Sequence, residues 1–283
     1  MNITPAHTLN LDLPGEEPVE VLNDGYSDRV RCDHPQVDDG EELGHALIET
    51  AVNLNRGRVM VMASTELQRG LQHAGLATEG VIPGFYRGQA DCAVMGWWQD
   101  ADRRSLADAD GVQQVMDLMA ERANAPTAER LSVETARATV EDAESIAELL
   151  GETFSQYPTP SDDPAYVAQA IEAGHPFRCV RDEGALVACA SADLVFDAHT
   201  AELTDCATRP THRGQGLMRA LLDDLMDDLR DLDYPTAFTL ARARIPGVNL
   251  VFQRLGFELR GTMTRSCRIG NGLEDMNILS RTL

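Results

Sequence analysis

Residues 201–230, AELTDCATRPTHRGQGLMRALLDDLMDDLR, constrain the fold of this chain more than any other stretch. The part up to Thr208 is typical of a strand, and the part after Gly216 repeats apolar residues at helical spacing. Between them lies a short basic loop with two glycines. Backbone N–H groups at a helix start, next to glycines, form a favourable site for phosphate. The stretch therefore predicts a strand–loop–helix unit that binds a phosphate-bearing ligand.

The basic loop is unusual because the chain as a whole is acidic. Its formal net charge is −22, and all 24 basic residues are arginine, with no lysine among the 283 residues. Such a surface repels nucleic acid and anionic membranes, so we expect neither as a partner. An acidic, lysine-free surface also suits a cytoplasm at high salt. A GC-rich genome that favours arginine codons would explain the missing lysine equally well.

Hydropathy and cysteine spacing give three further expectations. No run approaches the ~18 apolar residues of a membrane span, and the N-terminus lacks the features of a signal peptide, so we expect a soluble, cytoplasmic protein. The six cysteines are scattered without a CxxC pair. We therefore expect buried free thiols rather than disulfides or zinc, and no metal.

The length predicts two domains. Residues 1–27 are rich in proline and acidic residues without periodicity, which indicates a mobile acidic arm. Residues 28–123 have the pattern of an α/β half-domain, with strands at 58–62, 77–82 and 91–97 and helices at 41–54 and 65–73. Residues 124–132 are predicted to be a linker. Residues 133–283 form the second domain, with helices at 141–154, 163–173, 217–231 and 246–255 and strands at 177–181, 185–195, 201–208, 236–241, 258–269 and 274–280.

The two halves repeat one another weakly. An alignment without gaps that sets Gly75 on Gly256 also sets Gly80 on Gly261 and Met95 on Met276, and the predicted strands coincide. This indicates a duplicated helix–strand–strand unit, although turn glycines alone can produce such a match. The first half has nothing like RGQG before its helix at 41–54. If it is a copy, it has lost the phosphate site and serves as a structural partner or as a wall of the substrate cleft.

The second half resembles the GNAT N-acetyltransferases over about residues 132–283. The resemblance rests on the strand ending in TDCATRP, the RGQGLM loop and the helix ending in RLGF. Of the family signature Arg/Gln-x-x-Gly-x-Gly/Ala, Arg213 and Gly216 match, whereas Met218 departs from it. The family implies an α/β (α+β) fold with a central mixed, mostly antiparallel sheet flanked by helices; the N-terminal half would be a degenerate GNAT-like copy. The alternative is an ordinary glycine-containing turn.

Acetyl-CoA is the cosubstrate that this resemblance implies. Cys206, Ala207 and Thr208 would offer backbone groups to the pantetheine arm, and Asn249 and Phe252 of a later helix would complete the site. The pyrophosphate would lie on the backbone amides of Arg213, Gly214, Gln215, Gly216, Leu217 and Met218.

The chemistry that the resemblance implies is attack of a neutral amine on a thioester. An alkylammonium with a pKa near ~10.4 must first lose a proton, so a base is expected. By comparison with the related histone acetyltransferases, Glu202 is the first candidate, and Glu274 and Asp275 come second. Each could instead be one solvated carboxylate among 46 acidic residues. A backbone N–H near Cys206 is the expected oxyanion donor.

Phe252 occupies the position at which the family usually has a tyrosine that protonates the leaving thiolate. The thiolate must then take its proton from water or from another group. Cys267 is a less favoured candidate, because a buried structural thiol explains it more simply.

A narrower resemblance spans both halves. The runs GLEDMNIL, PGVNLVFQRLGFELRGTMTRSC and IPGFYRG are similar to the β-lysine N-acetyltransferases, which make a compatible solute. β-Lysine has two ammonium groups and one carboxylate, so Glu202, Glu274 and Asp275 would meet the ammoniums. Arg87, Arg265 or Arg268 would meet the carboxylate. A peptide-acetylating enzyme and a non-catalytic acyl-CoA-binding protein stay open as alternatives.

Overall fold

The computed structural model describes residues 6–122, 132–154 and 159–283. These residues form one sheet of 13 strands in the order β1-β2-β3-β4-β6-β5-β12-β13-β11-β10-β9-β8-β7. Neighbouring strands are antiparallel except for two parallel pairs, β3–β4 and β10–β11. The strands are β1 (His7–Leu11), β2 (Val19–Asp24), β3 (Arg29–Asp33), β4 (Arg58–Ser64), β5 (Ala77–Tyr86), β6 (Ala90–Trp98), β7 (Ala136–Arg137), β8 (Phe177–Asp182), β9 (Ala185–Val195), β10 (Thr200–Thr208), β11 (Thr236–Arg242), β12 (Glu258–Ile269) and β13 (Gly272–Thr282).

Helices cover the sheet, and the predicted mixed, mostly antiparallel α+β architecture is confirmed. The first half of the fold comprises β1–β6 with α1 and α2, and the second half comprises β7–β13 with α3–α7. The helices are α1 (Gly40–Asn53), α2 (Gln68–His73), α3 (Ala109–Arg122), α4 (Ala143–Thr153), α5 (Pro164–Glu172), α6 (Leu217–Asp231) and α7 (Pro246–Arg254).

The apolar side chains form separate cores on the two faces of the sheet. In β4, Val59 and Val61 face the core beneath α1, whereas Met60 and Met62 face the opposite side. That opposite side also receives Met276 and other residues of the second half. Strands buried on both faces read as continuous apolar runs, which explains the RVMVM pattern. The two halves therefore share one core in addition to their own.

The seam between the halves is the pairing of β5 with β12, and it occurs where the sequence repeat predicted correspondence. Gly80 pairs directly with Gly261. A Cβ on Gly261 would lie 1.9 Å from the Glu79 carbonyl oxygen, and one on Gly80 would lie 2.6 Å from Ile278 Cδ1. Only glycine permits so close an approach. Strand order and the two parallel pairs repeat on either side of this seam, so the fold has an approximate internal two-fold relation.

Buried arginines also tie the first half to β12. The register of β12 shifts between Met263 and Cys267, which turns backbone carbonyls away from the ladder. Arg29 donates to the Ser266 carbonyl at 2.8 Å, and Arg58 donates to the Thr264 carbonyl at 2.6 Å. Because a buried guanidinium is stable only when it is paired, Asp24 and Glu79 complete these contacts; they pair with Arg29 and Arg58, respectively. The seam is thus polar as well as apolar.

Three expectations about organisation need correction. Residues 7–11 and 19–24, expected in a mobile arm, form β1 and β2, which pair with each other and extend the sheet. Their alternate apolar side chains supply the β-pairing signal that the acidic composition obscured. Helix α3, expected in the first domain, packs through Val115 and Met119 on the core of the second half. Strand β5 continues beyond the predicted residues 77–82 to Tyr86.

The predicted linker at 124–132 lies almost wholly outside the described residues. Of the six cysteines, all are free; five are buried as predicted, and Cys206 is partly exposed. Within the described ranges, no helix has both the length and the apolar character that a membrane crossing requires.

Candidate functional site

Two adjoining hollows lie beside β10. We call the larger one, about 790 Å³, the groove; it runs between β10, β11, the start of α6 and α7. The smaller one, about 410 Å³, we call the cavity; it lies between the two halves of the fold. Thr204, Asp205 and Leu240 line both, so the groove and the cavity meet at the middle of β10.

The groove exists because β10 and β11 separate. Their parallel ladder covers only 200–202 against 236–238, after which β11 continues along β13 alone. The register between β10 and β9 also shifts between Thr204 and Ala207, and Asp205 has a φ of +49° within this bulge. Cys206 and Thr208 line the groove, whereas Ala207 is buried on the opposite face beneath α4. The separated edge of β10 therefore offers main-chain groups to an extended ligand.

The predicted phosphate loop closes one end of the groove. Gly214 and Gly216 have φ values of +78° and +80°, and Gly216 is the N-cap of α6 without a side-chain cap. The first N–H groups of a helix lack intrahelical acceptors and carry the positive end of its dipole. All six predicted loop residues line the groove: Arg213, Gly214, Gln215, Gly216, Leu217 and Met218. Met218 also packs on the core beneath α6, which accommodates its bulk.

The corresponding region of the first half has neither a separated strand edge nor an uncapped helix start. Strands β3 and β4 remain paired over the whole of β3, so the ladder does not open. Asp39 caps α1, and its Oδ1 accepts from the N–H groups of Glu41 and Glu42 at 2.9 and 3.1 Å. A carboxylate of the chain itself thus occupies the place where the second half presents bare amides.

Charged residues of both halves line the cavity. From the second half come Asp193, Glu202 and Asp205; from β3 of the first half come Arg29 and Arg31. Glu202 stands directly opposite Asp193 on the neighbouring strand. Carboxylates in such positions repel each other, so the site favours a cation between them.

The environment of two of these carboxylates raises their pKa values. Burial raises the pKa of Glu202 to about 8; Asp193 and Asp205 add to the rise, and the Arg31 guanidinium opposes it. Burial also raises the pKa of Asp205 to about 6. The 2.7 Å hydrogen bond that Ser191 Oγ donates to Asp205 Oδ2 acts in the opposite direction and lowers this pKa. A carboxyl with a pKa near neutrality can accept and release protons at physiological pH.

Glu274 and Asp275, the other predicted carboxylates, line neither the groove nor the cavity. Glu274 is buried and pairs with Arg244 at 2.6 Å. Asp275 accepts from the backbone N–H groups of Arg265 and Ala107, both at 2.8 Å. Both carboxylates therefore hold neighbouring segments in place, and a role toward the substrate finds no support in these contacts.

Two predicted residues of α7 have different surroundings. Phe252 lines the groove, with its ring 5.0 Å from that of Phe257, and it is fully buried. Asn249 does not line the groove. Its Nδ2 donates to the carbonyls of Arg242 and Ile245 at 2.9 and 2.8 Å, so it fixes the start of α7. Asn249 reaches a ligand only indirectly, by holding this helix.

The arginines expected to meet a carboxylate also lie outside the cavity. Arg268 donates to the Tyr26 carbonyl at 2.8 Å, Arg265 donates to the Ser105 carbonyl at 3.1 Å, and Arg87 is exposed in the turn after β5. Instead, the cavity contains Arg31, which sequence reasoning missed together with Asp193 and Asp205. For Asp205 a signal existed, since it precedes Cys206 in TDCATRP. For Arg31 none did, because no pattern links β3 to β10.

No group of three or more histidine, cysteine or acidic side chains suitable for a metal ion occurs in residues 6–122, 132–154 and 159–283.

Comparison with known proteins agrees with this geometry. Residues 143–257 match the model of the acetyltransferase (GNAT) family. The chain is 29% identical to a β-lysine N(6)-acetyltransferase of Methanosarcina mazei, over 86% of this chain and 97% of that protein. It is also 29% identical to the N-acetyltransferase YodP of Bacillus subtilis, over 92% and 94%. A solved GNAT phosphinothricin acetyltransferase of Sinorhizobium meliloti, in complex with acetyl-CoA, is 22% identical over 54% of this chain and 89% of its own, with a TM-score of 0.48.

Proposed function

We propose that this chain, whose residues 143–257 match the model of the acetyltransferase (GNAT) family, transfers the acetyl group of acetyl-CoA to an amine of β-lysine. The observation that carries the proposal is the junction of the groove with the cavity at Thr204 and Asp205. The groove has the features of a site for an extended diphosphate ligand. The cavity has the carboxylates that a diammonium substrate requires.

The groove fits acetyl-CoA in two respects. The separated edge of β10 offers main-chain hydrogen bonds to the two amides of the pantetheine arm, with Cys206 and Thr208 alongside. The bare amides at Gly216 and the start of α6 favour the diphosphate, and Arg122, Arg242 and Arg254 add positive charge to the groove wall. When bound, acetyl-CoA supplies an activated thioester carbonyl.

The residues of the cavity would prepare the amine. An ammonium entering between Asp193, Glu202 and Asp205 would be held by their charge and would need to lose one proton. We assign Glu202 as the base, because its pKa of about 8 is close enough to that of an alkylammonium for transfer at mildly alkaline pH. Asp205, beside the bulge, is the second candidate. A backbone N–H of the bulge near Cys206 would then stabilise charge on the carbonyl oxygen.

The proton for the leaving thiolate has no obvious side-chain source at Phe252, which has no hydroxyl. The groove is open to solvent along β10, so water is the donor we favour. Glu202 itself, once protonated by the amine, is the alternative donor, since it lines the cavity that adjoins the groove.

The size and position of the cavity favour a small substrate. A hollow of about 410 Å³ bounded by both halves of the fold resembles small-molecule sites more than a peptide groove. The relative from Methanosarcina mazei is named for β-lysine and aligns over both halves. Its coverage supports β-lysine here because the first half, as well as the GNAT domain, lines the cavity.

The decisive experiment measures release of free CoA from acetyl-CoA in the presence of β-lysine, α-lysine, simple diamines or a lysine peptide. The proposal expects the highest kcat/KM with β-lysine and little turnover of the peptide. A strict preference for the peptide would refute the assignment of β-lysine as the substrate. Binding of acetyl-CoA without release of CoA for any amine would favour a non-catalytic acyl-CoA-binding protein.

The same proposal extends to the role of the product. Acetylation of one amine of β-lysine leaves one ammonium and one carboxylate, a net-neutral zwitterion of the kind that cells accumulate without disturbing charge balance. The net charge of −22 and the absence of lysine suit a cytoplasm at high salt. We infer that the enzyme makes a compatible solute in such a cytoplasm. Activity that is retained in molar KCl would support this role, and inactivation by that salt would contradict it.

A further inference from the structure

We propose that Arg31, on β3 of the first half, binds the carboxylate of the substrate and thereby makes the enzyme selective for a diamino acid over a plain diamine. This inference rests on the proposed function and identifies the contribution of the first half to the same site. Arg31 lines the cavity opposite a wall that contains Asp193, Glu202 and Asp205.

The charges of the cavity require such a residue. Three carboxylates on β9 and β10 attract ammonium groups but repel a substrate carboxylate. A diamino acid can therefore enter only if a cation meets its carboxylate. Arg31 supplies this cation, since its guanidinium acts electrostatically on Glu202 across the cavity.

Arg29, the other arginine in the cavity wall, is not available for this role. It is 4% exposed, its Nε pairs with Asp24 at 2.9 Å, and its Nη1 donates to the Ser266 carbonyl at 2.8 Å. Its Nε is thus committed to Asp24 and its Nη1 to the seam between the halves, which leaves Arg29 less able than Arg31 to offer a two-donor edge.

Arg31 pairs with a neighbouring carboxylate through Nε only. Its Nε pairs with Asp33 at 2.6 Å, and its side chain remains 29% exposed. Within the described ranges, no residue forms a hydrogen bond with Nη1 or Nη2 of Arg31. A guanidinium edge with two such donors matches a carboxylate in bidentate geometry. Arg31 is thus paired with Asp33 and also lines the cavity.

The test compares Arg31→Gln with the wild-type protein on two substrates, β-lysine and the diamine that results when its carboxylate is replaced by hydrogen. We expect Arg31→Gln to raise KM for β-lysine roughly 10- to 100-fold, the usual effect of losing a charged hydrogen-bond pair. KM for the diamine should change less than about 3-fold, because that substrate has nothing for Arg31 to bind. For Arg31→Lys, which retains the charge but loses the forked guanidinium, KM for β-lysine should lie between the values for wild type and for Arg31→Gln.

Arg230→Gln is the matched control, because it removes another arginine that pairs with an aspartate, Asp227, at 2.8 Å and lines neither the groove nor the cavity. Arg230→Gln should leave KM for both substrates unchanged. Equal losses on both substrates in Arg31→Gln would overturn the inference and assign Arg31 a structural or general electrostatic role. No loss on either substrate would also overturn it.

A binding measurement separates this inference from the proposed function. If wild-type protein acetylates neither substrate, the proposed function fails. Calorimetric titration with β-lysine alone then decides the inference. Weaker binding to Arg31→Gln than to wild type and Arg230→Gln supports a carboxylate contact at Arg31, whereas equal binding to all three, or no binding to wild type, rejects it.

Discussion

Glu202→Gln should change how the stability of the protein depends on pH. The pKa of Glu202 is about 8 in the folded protein, against an ordinary value of 4.5. The native state therefore holds this proton more tightly than the unfolded chain does. The stabilisation is fully present at pH values below the unfolded pKa and is lost as pH rises through the folded pKa. Glutamine has no proton to lose, so the variant lacks this decline.

The magnitude follows from the same two pKa values. Each unit of difference is worth about 1.4 kcal/mol, and the loss accumulates over the interval in which only the unfolded chain is ionised. Between about pH 5 and about pH 8, Glu202 alone lowers the free energy of unfolding by about 3 to 4 kcal/mol. Relative to wild type, Glu202→Gln should gain that amount over this interval.

Urea denaturation followed by tryptophan fluorescence at several pH values and fixed ionic strength measures this difference. Glu66→Gln is the control, because Glu66 is an exposed carboxylate that lines neither the groove nor the cavity. Its stability should follow that of wild type at every pH. If wild type and Glu202→Gln lose stability in parallel from about pH 5 to about pH 8, Glu202 is ionised normally and its assignment as a buried base with a raised pKa is refuted.

Three further substitutions test the site and the seam. Asp205→Asn should raise the amine KM roughly 10-fold by removing one charge from the cavity; it should also move the acidic limb of kcat/KM to lower pH, because Asp205 helps to raise the pKa of Glu202. Gly216→Ala, at a φ of +80°, should cost about 1–2 kcal/mol in unfolding free energy and raise the KM of acetyl-CoA, but not that of the amine. Gly261→Ala, which places a Cβ 1.9 Å from the Glu79 carbonyl oxygen, should lower the unfolding free energy by at least about 2 kcal/mol.

Release of CoA thiol measures the first two kinetic effects, and urea denaturation measures the stabilities. An unchanged amine KM in Asp205→Asn would remove Asp205 from the substrate site. Equal effects of Gly216→Ala on both KM values would indicate a general loss of structure. Gly272→Ala is the control for the seam, since a Cβ there meets nothing within 4 Å; a similar cost for both alanines would contradict the close-contact explanation.

The second half could be anticipated from the sequence because its signals are local. The strand, basic loop and helix of 201–230 lie in one continuous segment, and glycines at Gly214 and Gly216 mark the backbone positions with positive φ. The ungapped repeat predicted that Gly80 and Gly261 are equivalent, and the structure shows that these two glycines also contact each other. Local periodicity and turn chemistry were sufficient for these features.

The composition of the cavity could not be anticipated, because it depends on which strands become neighbours. Arg31 and Glu202 line one cavity only because β5 pairs with β12 and the sheet continues from one half into the other. Glu274 and Asp275 appeared equally suitable as acids, but their partners Arg244 and Ala107 lie on segments that no sequence pattern connects to them. Composition also misled at residues 1–27, because β1 contains no acidic residue and β2 contains only Glu20, which is exposed, and Asp24, which is buried.

Asp39 gives the duplicated fold an asymmetry that is electrostatic as well as structural. Its side chain accepts from the first N–H groups of α1, so the first half carries its own acceptor at this helix start. The start of α6 has no such group, and its charge is balanced only while an external anion is present. Ligand exchange can therefore alter one copy and leave the other unchanged. Arg31 lies on β3 of the first half, the copy in which the helix start is already capped by a residue of the chain.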